Sequence, residues 1–142
     1  MPFFVNKPDE NLAAWFDGGA LRPGRALEPG CGAGRNALHM ASRGCRVEAV
    51  DLSQESLRWA RERAEQAGAL IAFSCRNVFD LAVPDEAYQL VYDAGLLHHL
   101  PPHRRPGYLQ RVRRALKPEG RFGLVCFNTN GGPAVSDTEI YT

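Results

Sequence analysis

Two acidic residues flank a glycine-rich loop in the first third of the chain, and this pattern has the clearest chemical meaning. Glu28 stands two residues before the loop 30–34 (GCGAG), and Asp51 follows the next apolar run. Glycines let the backbone turn sharply and approach a ligand without interference from a Cβ atom. A helix that begins after such a loop offers free N–H groups and positive potential to a carboxylate or phosphate. An acid after the second strand can accept hydrogen bonds from ribose hydroxyls, so the pattern predicts a nucleoside ligand.

The spacing of the glycines and the charge of Glu28 indicate which nucleoside is bound. Nicotinamide cofactors favour Gly-x-Gly-x-x-Gly, with a pyrophosphate on the helix end, whereas the loop here reads Gly-x-Gly-x-Gly. A carboxylate at position 28 repels a pyrophosphate and attracts an ammonium group. S-adenosylmethionine carries an ammonium group beside a carboxylate, as well as a sulfonium cation. The charge pattern favours S-adenosylmethionine, and an NAD-dependent oxidoreductase is the more distant alternative.

An α/β fold is predicted to position these residues. Short apolar runs alternate with helical patterns, which is typical of a mainly parallel sheet. The predicted strands comprise residues 25–28, 46–50, 70–75, 88–93 and 121–127. We expect a Rossmann-like sheet with helices on both faces, strand order 3-2-1-4-5 and right-handed crossovers.

Helical patterns separate most of these strands. They are predicted after Pro8, over residues 36–41, from the N-cap Ser53 to Gly68, and after Pro102. The last helix is expected to place Leu109, Val112 and Leu116 on its inner face. Residues 117–120 (KPEG) then form the turn into the fifth strand.

Composition and charge exclude several other classes of protein. The chain has 142 residues, a formal net charge of +1 and 44% hydrophobic residues, which predicts one domain with an ordinary core. A near-neutral balance gives no general attraction to nucleic acid or to an anionic membrane. No run is long and apolar enough to span a bilayer, and a cytoplasmic location is expected. The four cysteines form no C-x-x-C pair, so they are expected to be reduced and mostly buried, with no metal site.

The sequence around the loop, Leu27-Glu28-Pro29-Gly30-Cys31-Gly32-Ala33-Gly34, resembles motif I of the class I S-adenosylmethionine-dependent methyltransferases. The likeness continues through Asp51-Leu52-Ser53, Asn77-Val78-Phe79-Asp80, residues 92–100 and residues 116–121. It covers nearly the whole chain up to the fifth strand and is greatest to small bacterial methyltransferase-domain proteins. The resemblance implies S-adenosylmethionine as the cofactor and methyl transfer as the activity.

The resemblance also implies which residues meet the methionine end of the cofactor. These are Glu28, Gly30, Cys31, Gly32, Gly34, Asp93 and Ala94. Glu28 would hold the amino group, directly or through water, while the glycines line the methionine part. Asp93 and Ala94 would approach it partly through their backbone carbonyls.

At the adenosine end, the resemblance implies four further residues. Asp51 would accept hydrogen bonds from the ribose hydroxyls, and Leu52 would pack on the adenine. Asn77 and Val78 would meet the adenine edge. Family members often have Asp where Asn77 stands. The amide oxygen of Asn77 can still accept a hydrogen bond from the adenine amino group, so recognition of adenine is expected to be weaker but not lost.

The C-terminal region departs from the family pattern. Family members usually continue past the fifth strand with another helix and a strand hairpin, and residues 128–142 resemble only the start of that portion. Residues 1–142 are interpreted as one domain: an N-terminal helix region (1–20), a cofactor-binding core (21–127) and a tail (128–142) with no regular structure. The fifth strand is then expected to be an unpaired edge, which could pair with a second subunit in a homodimer.

The acceptor is expected to be a small molecule, attacked in line at the sulfonium methyl with no metal required. His98 and His99 follow the fourth strand and are candidates for orienting or deprotonating it. One packed and one solvated histidine is the alternative interpretation. The basic stretch of residues 104–121 is read as a solvated helix face rather than a nucleic-acid site, because aromatic residues are nearly absent from it. A non-catalytic module that binds S-adenosylmethionine is the second function considered.

Overall fold

The chain is described here from a computed structural model, which covers residues 9–127 and 136–141 and the side chains of residues 9–125. One mixed sheet forms the centre. Its strands are β1 (Arg25–Pro29), β2 (Arg46–Asp51), β3 (Ile71–Cys75), β4 (Tyr88–Asp93), β5 (Leu116–Phe127) and β6 (Ser136–Tyr141). The helices are α1 (Glu10–Asp17), α2 (Arg35–Ser42), α3 (Gln54–Ala67), α4 (Leu96–His99) and α5 (Arg105–Ala115). Within this part of the chain, no helix is long and apolar enough to cross a membrane.

The order of the parallel strands confirms the prediction. The sheet runs β3-β2-β1-β4-β5-β6, and the first five of these strands pair in parallel. The first two strands are in register, with Pro29 opposite Val50. Because parallel strands end at the same edge, the segments that follow β1 and β2 meet there.

The expectation of an unpaired fifth strand is wrong. β6 pairs antiparallel with β5, from Phe122 opposite Tyr141 to Phe127 opposite Ser136. The sequence of residues 136–141 (SDTEIY) contains only two apolar residues, so its hydrophobic pattern is too weak to predict a strand. An edge strand needs only backbone hydrogen bonds along one side, and β6 makes these. The predicted dimer through the β5 edge therefore loses its physical basis.

Two apolar cores lie on opposite faces of the sheet, which confirms helices on both sides. One core joins α1, α2 and α3 to the sheet through buried residues such as Leu12, Met40 and Leu57. The other packs α5 against β4 and β5 through Tyr108 and Val112. The helices on the first face hold the N-terminal ends of α1 and α2 near the edge where β1 and β2 end.

Two of the three residues predicted for the inner face of α5 are wrong, and only Val112 is confirmed. Leu109 is 40% exposed, whereas Tyr108 is fully buried together with Val112 and Ala115. The prediction extended the helical spacing to Leu116, but that residue already belongs to β5. The tyrosine is favoured inside because its hydroxyl has a buried acceptor there.

The predicted turn at residues 117–120 lies within β5 as an irregularity. Leu116 pairs with Tyr88 and Arg121 pairs with Leu90, so the residues between them bulge out of the ladder. A Cβ atom on Gly120 would lie 3.0 Å from the carbonyl oxygens of Lys117 and Tyr88. Only glycine fits there without a shift of the backbone.

Candidate cofactor site

The glycine loop connects β1 to α2 at the carboxyl edge of the sheet. Gly30, Gly32 and Gly34 all have positive φ angles, of 69°, 55° and 84°, which disfavour other residues. A Cβ atom on Gly34 would lie 3.0 Å from the Cβ atom of Ala60, so this glycine also lets α3 approach the loop. A Cβ atom on Gly32 would meet nothing within 4 Å. Glycine is therefore favoured at this position by its positive φ angle and not by a lack of space.

Asp51 connects the end of β2 to this loop. Its Oδ2 accepts a hydrogen bond from the backbone N–H of Gly32 at 2.8 Å, and its Oδ1 accepts one from Ser53 at 2.8 Å. A carboxylate oxygen can accept a second hydrogen bond, so both oxygens retain capacity for a hydroxyl donor. The side chain is half-buried and borders a cleft. The glycine loop and Asp51 therefore form one continuous site.

Glu28 lies beneath the loop and is almost completely enclosed. Its side chain is 1% exposed, and its Oε1 has no hydrogen-bond partner among the described residues. Burial raises the pKa of this carboxyl well above its ordinary value, and the nearby carboxylates of Asp9 and Asp93 add to the increase. Arg35 and a hydrogen bond from Asn36 act in the opposite direction. A buried carboxylate without a complete set of partners is a suitable anchor for a cation.

A cleft of about 420 Å³ opens beside Asp51 at the same edge. Five predicted cofactor residues line it: Gly30, Asp51, Leu52, Asn77 and Val78. Sequence reasoning missed a further group of lining residues: Arg76, Phe79, Leu96, Leu100, Pro101, His103 and Arg104. These residues lie in the segments that follow β3 and β4, and that position at the carboxyl edge was the available signal. Among them, His103 is the histidine that lines the cleft.

Three of the residues predicted to meet the adenosine, Leu52, Asn77 and Val78, line this cleft together with Asp51. Leu52 is 68% exposed, which leaves its side chain available for contact with a ligand. The Oδ1 of Asn77 accepts a hydrogen bond from the backbone N–H of Phe79 at 3.0 Å and so caps the short 3-10 turn Val78–Asp80. The guanidinium of Arg104 lies 4.0 Å from the centre of the Phe79 ring and forms one wall. Asn77 therefore has a structural role, and its oxygen keeps one lone pair.

The side chain of Asp93 is bonded entirely within the protein. Its fully buried carboxylate accepts hydrogen bonds from the backbone N–H groups of Gly95, Leu96 and Leu97 at 2.9, 2.6 and 3.0 Å. It also accepts one from the Tyr108 hydroxyl at 2.7 Å. These four bonds fix the turn from β4 into α4. They occupy the side chain, so backbone groups remain for contact with a ligand here and at the neighbouring Ala94.

Replacing Tyr108 with phenylalanine tests this arrangement. The change removes one donor from a buried carboxylate, and we expect it to cost about 1–3 kcal/mol of unfolding free energy in urea titrations. Tyr88→Phe is the matched control, because its hydroxyl bonds to Glu48, which Arg25 also holds. Equal losses in the two variants would contradict the proposed importance of the Asp93 bond.

His98 and His99 are not brought into the cleft. Both lie on α4, with their rings edge to face and 5.6 Å apart. Neither lines the cleft, whereas His103 does. Their predicted part on the acceptor side therefore stays a prediction.

The cysteines agree in part with the expectation that they are mostly buried. Cys31 and Cys45 are buried free thiols, and burial raises the pKa of both. Cys75 is also free but exposed, unlike the other two. Cys126 lies outside the described side chains. No group of three or more metal-binding side chains occurs among the residues described.

A parallel α/β sheet with a glycine loop after β1 and an acid after β2 defines a Rossmann-like domain of the nucleoside-binding class. More narrowly, the chain belongs to the methyltransferase domain family, whose model matches residues 26–120. This match confirms the resemblance to the class I S-adenosylmethionine-dependent methyltransferases. It covers β1 to the bulge of β5 and includes the loop, Asp51 and Asp93.

Individual relatives agree with the family assignment. A probable thiol methyltransferase 2 from Arabidopsis thaliana is 30% identical over 136 residues, covering 93% of this chain and 60% of the relative. A structure from work on conversion of a disulfide bond into a thioacetal group during echinomycin biosynthesis is 29% identical, with a TM-score of 0.80 over 89% of this chain and 53% of that one. The 1,6-didemethyltoxoflavin-N1-methyltransferase of Burkholderia thailandensis, solved with 1,6-didemethyltoxoflavin and S-adenosylhomocysteine, is 29% identical; its TM-score is 0.73, covering 93% and 59% of the two chains. This chain thus spans between half and two thirds of the length of these relatives.

Proposed function

We propose that this chain binds S-adenosylmethionine at the carboxyl edge of β1 and β2 and takes part in methyl transfer to a small-molecule acceptor. The observation that carries the proposal is the carboxylate of Glu28, buried beneath the glycine loop with one oxygen lacking a hydrogen-bond partner among the described residues. One strand away, Asp51 bonds directly to the same loop. Together they offer one anion to a cationic amino acid and a second to a sugar.

The side chains at the site fit this cofactor better than a dinucleotide. A pyrophosphate at the loop would lie close to the carboxylate of Glu28 and be repelled by it, whereas an ammonium group would be attracted. The backbone N–H groups at the start of α2 suit the ligand's carboxylate. Asp51 would hold the ribose, while Leu52, Asn77 and Val78 would surround the adenine. An NAD-dependent oxidoreductase is disfavoured by the same charge.

Methyl transfer requires little acid–base catalysis from the protein. S-adenosylmethionine, when bound, supplies a methyl group activated by a neighbouring sulfonium. The chain would contribute alignment of the acceptor with that methyl group and exclusion of water. His98 and His99 remain candidates for the acceptor side, and His103 joins them because it lines the cleft. The named relatives include a probable thiol methyltransferase and a 1,6-didemethyltoxoflavin-N1-methyltransferase, which supports a small-molecule acceptor.

A non-catalytic module that binds S-adenosylmethionine is the second candidate. One observation favours it: neither of the two histidines predicted for the acceptor side lines the cleft. Calorimetry with S-adenosylhomocysteine and NADH, followed by transfer of labelled methyl groups to a panel of thiol, hydroxyl and nitrogen acceptors, separates the candidates. Binding of S-adenosylhomocysteine with transfer supports the enzyme, and binding without transfer to any acceptor supports the module. Preference for NADH would refute both.

The asparagine at position 77 offers a gain-of-affinity test. We expect Asn77→Asp to strengthen binding of S-adenosylhomocysteine by about threefold to tenfold, because a charged acceptor forms a stronger hydrogen bond with the adenine amino group. An aspartate can also keep the cap on the backbone N–H of Phe79. Calorimetry provides the measurement, and Asp80→Asn is the control for a nearby change of charge. Unchanged or weaker binding by Asn77→Asp would remove Asn77 from the adenine site.

A further inference from the structure

Asp9 precedes α1 and bonds to side chains of α2 and β4 that surround Glu28. Its carboxylate pairs with the guanidinium of Arg35 and accepts hydrogen bonds from the Asn36 amide at 3.2 Å and the Tyr92 hydroxyl at 2.5 Å. Its backbone N–H donates to the Oδ1 of Asn36 at 2.8 Å. The Asp9 side chain is only 20% exposed. This acid is therefore built into the structure beside the anchor carboxylate rather than lying loose on the surface.

The guanidinium of Arg35 acts electrostatically on the carboxyl of Glu28. Among the charged groups that act on the buried carboxyl, the Arg35 guanidinium is the main one that lowers its pKa. Even so, the ion pair of Arg35 is made with Asp9, and the Oε1 of Glu28 has no hydrogen-bond partner among the described residues. A guanidinium near a buried carboxylate ordinarily pairs with it.

The same sheet contains a carboxylate for which that pairing does occur. Glu48 of β2 accepts two hydrogen bonds from the guanidinium of Arg25, at 2.6 and 3.1 Å. No other acid bonds to Arg25 in the described part of the chain. The difference at Glu28 is the presence of Asp9, which takes the guanidinium instead.

We propose that Asp9 is a positioning residue that holds Arg35 away from Glu28, so that the Glu28 carboxylate is left to bind the ammonium group of the ligand. This inference rests on the proposed function, since it assigns Glu28 to that ammonium group. It adds to the site a residue that makes no contact with the reacting atoms. The interaction between α1 and α2 then sets the affinity for the amino-acid part of the ligand without changing the adenosine part.

The test begins with Asp9→Asn, which removes the charge that holds Arg35 but keeps an oxygen for Asn36 and Tyr92. Arg35 then pairs with Glu28, and the affinity for S-adenosylhomocysteine falls by about tenfold or more, the effect of losing one charge-assisted hydrogen bond. The double variant Asp9→Asn/Arg35→Gln removes the competing cation as well. Its affinity returns to within about threefold of wild type, which a purely structural role for Asp9 does not predict.

A second ligand and a control variant complete the experiment. 5′-Methylthioadenosine has the adenosine and thioether but no ammonium group, and it binds the wild type and both variants equally. Asp17→Asn releases the corresponding ion pair with Arg43 at the other end of α1 (2.7 Å) and leaves both affinities unchanged. If the double variant binds S-adenosylhomocysteine as weakly as Asp9→Asn, or if 5′-methylthioadenosine binding falls in parallel, the inference is wrong. If the wild type binds no S-adenosylhomocysteine, the proposed function itself fails.

Discussion

Replacing Glu28 with glutamine is expected to weaken binding of S-adenosylhomocysteine by about 10–100-fold and, at the same time, to stabilise the ligand-free chain. The loss of affinity follows from replacing a charged acceptor by a neutral one opposite an ammonium group. The gain in stability follows from burial, because the wild-type carboxylate is enclosed without a complete set of partners. Calorimetry measures the first effect and urea unfolding the second.

The stability effect of Glu28 depends on pH in a defined direction. Its folded-state pKa is raised well above the ordinary 4.5, so the folded chain keeps a proton that the unfolded chain has released. Below the unfolded pKa this group imposes no penalty; as the pH rises from there to the folded pKa, the wild type loses about 1.4 kcal/mol per pH unit. Glutamine does not titrate, so the advantage of Glu28→Gln grows with pH across this window and is then constant.

Glu48→Gln is the matched control on the neighbouring strand. The hydrogen bond from Arg25 holds the pKa of Glu48 below its ordinary value. The stability that Glu48 contributes is therefore present above its unfolded pKa, and its glutamine variant is expected to be less stable at neutral pH, with unchanged affinity for S-adenosylhomocysteine. A Glu28→Gln variant that is no more stable at pH 8 than the wild type would show that Glu28 is well accommodated without a ligand.

Replacing Asp51 with alanine is expected to reduce the affinity for S-adenosylhomocysteine by about a hundredfold or more and to abolish methyl transfer. The variant loses the acceptor for the ribose hydroxyls and releases the N–H groups of Gly32 and Ser53, which Asp51 holds at 2.8 Å. Calorimetry and a labelled-methyl assay report the two effects. Asp51→Asn keeps one acceptor oxygen, so its affinity for S-adenosylhomocysteine should lie between those of the wild type and Asp51→Ala.

A ligand lacking one ribose hydroxyl separates direct contact from support of the loop. The wild type should prefer S-adenosylhomocysteine over its 2′-deoxy analogue, and Asp51→Ala should lose that preference, because no carboxylate remains to distinguish the two. If Asp51→Ala lowers the affinity for both ligands by the same factor and still prefers S-adenosylhomocysteine, Asp51 acts through the loop alone. The ribose would then be held by another group.

With the roles proposed for them, the two carboxylates would set cofactor affinity against stability at this site. Asp51 is partly satisfied by the backbone of the loop and contributes to the fold even without a ligand. Glu28 is buried at a cost that an ammonium group would offset. A site of this kind gains affinity because the hydrogen bonds of its buried carboxylate are incomplete until the ligand binds.

Much of the site followed from the sequence because its positions depend on local patterns. The apolar runs predicted the parallel strands and their order, and the order placed the loop after β1 beside the acid after β2. The bond between Gly32 and Asp51 is the structural result of that placement. The positive φ angles of the three loop glycines likewise follow from a residue type whose backbone tolerates them.

Other features depended on side chains far apart in the sequence, which local patterns do not encode. Tyr108, rather than Leu109, is buried because its hydroxyl reaches Asp93 across fifteen positions. The same bond, together with those from the start of α4, occupies the carboxylate of Asp93. β6 was missed because an edge strand is held by backbone hydrogen bonds, to which a hydrophobic pattern is insensitive.

The sequence by itself determined the class of the fold, the family and the two acids that face one edge of the sheet. Only the tertiary structure decided the state of those acids: Asp51 bonded to the loop, and Glu28 enclosed while Asp9 takes the nearest guanidinium. The physical reason is the separation along the chain of the residues that interact. Strand and loop formation depend on neighbours along the chain, whereas burial and the pairing of charges depend on which distant segments the fold brings into contact.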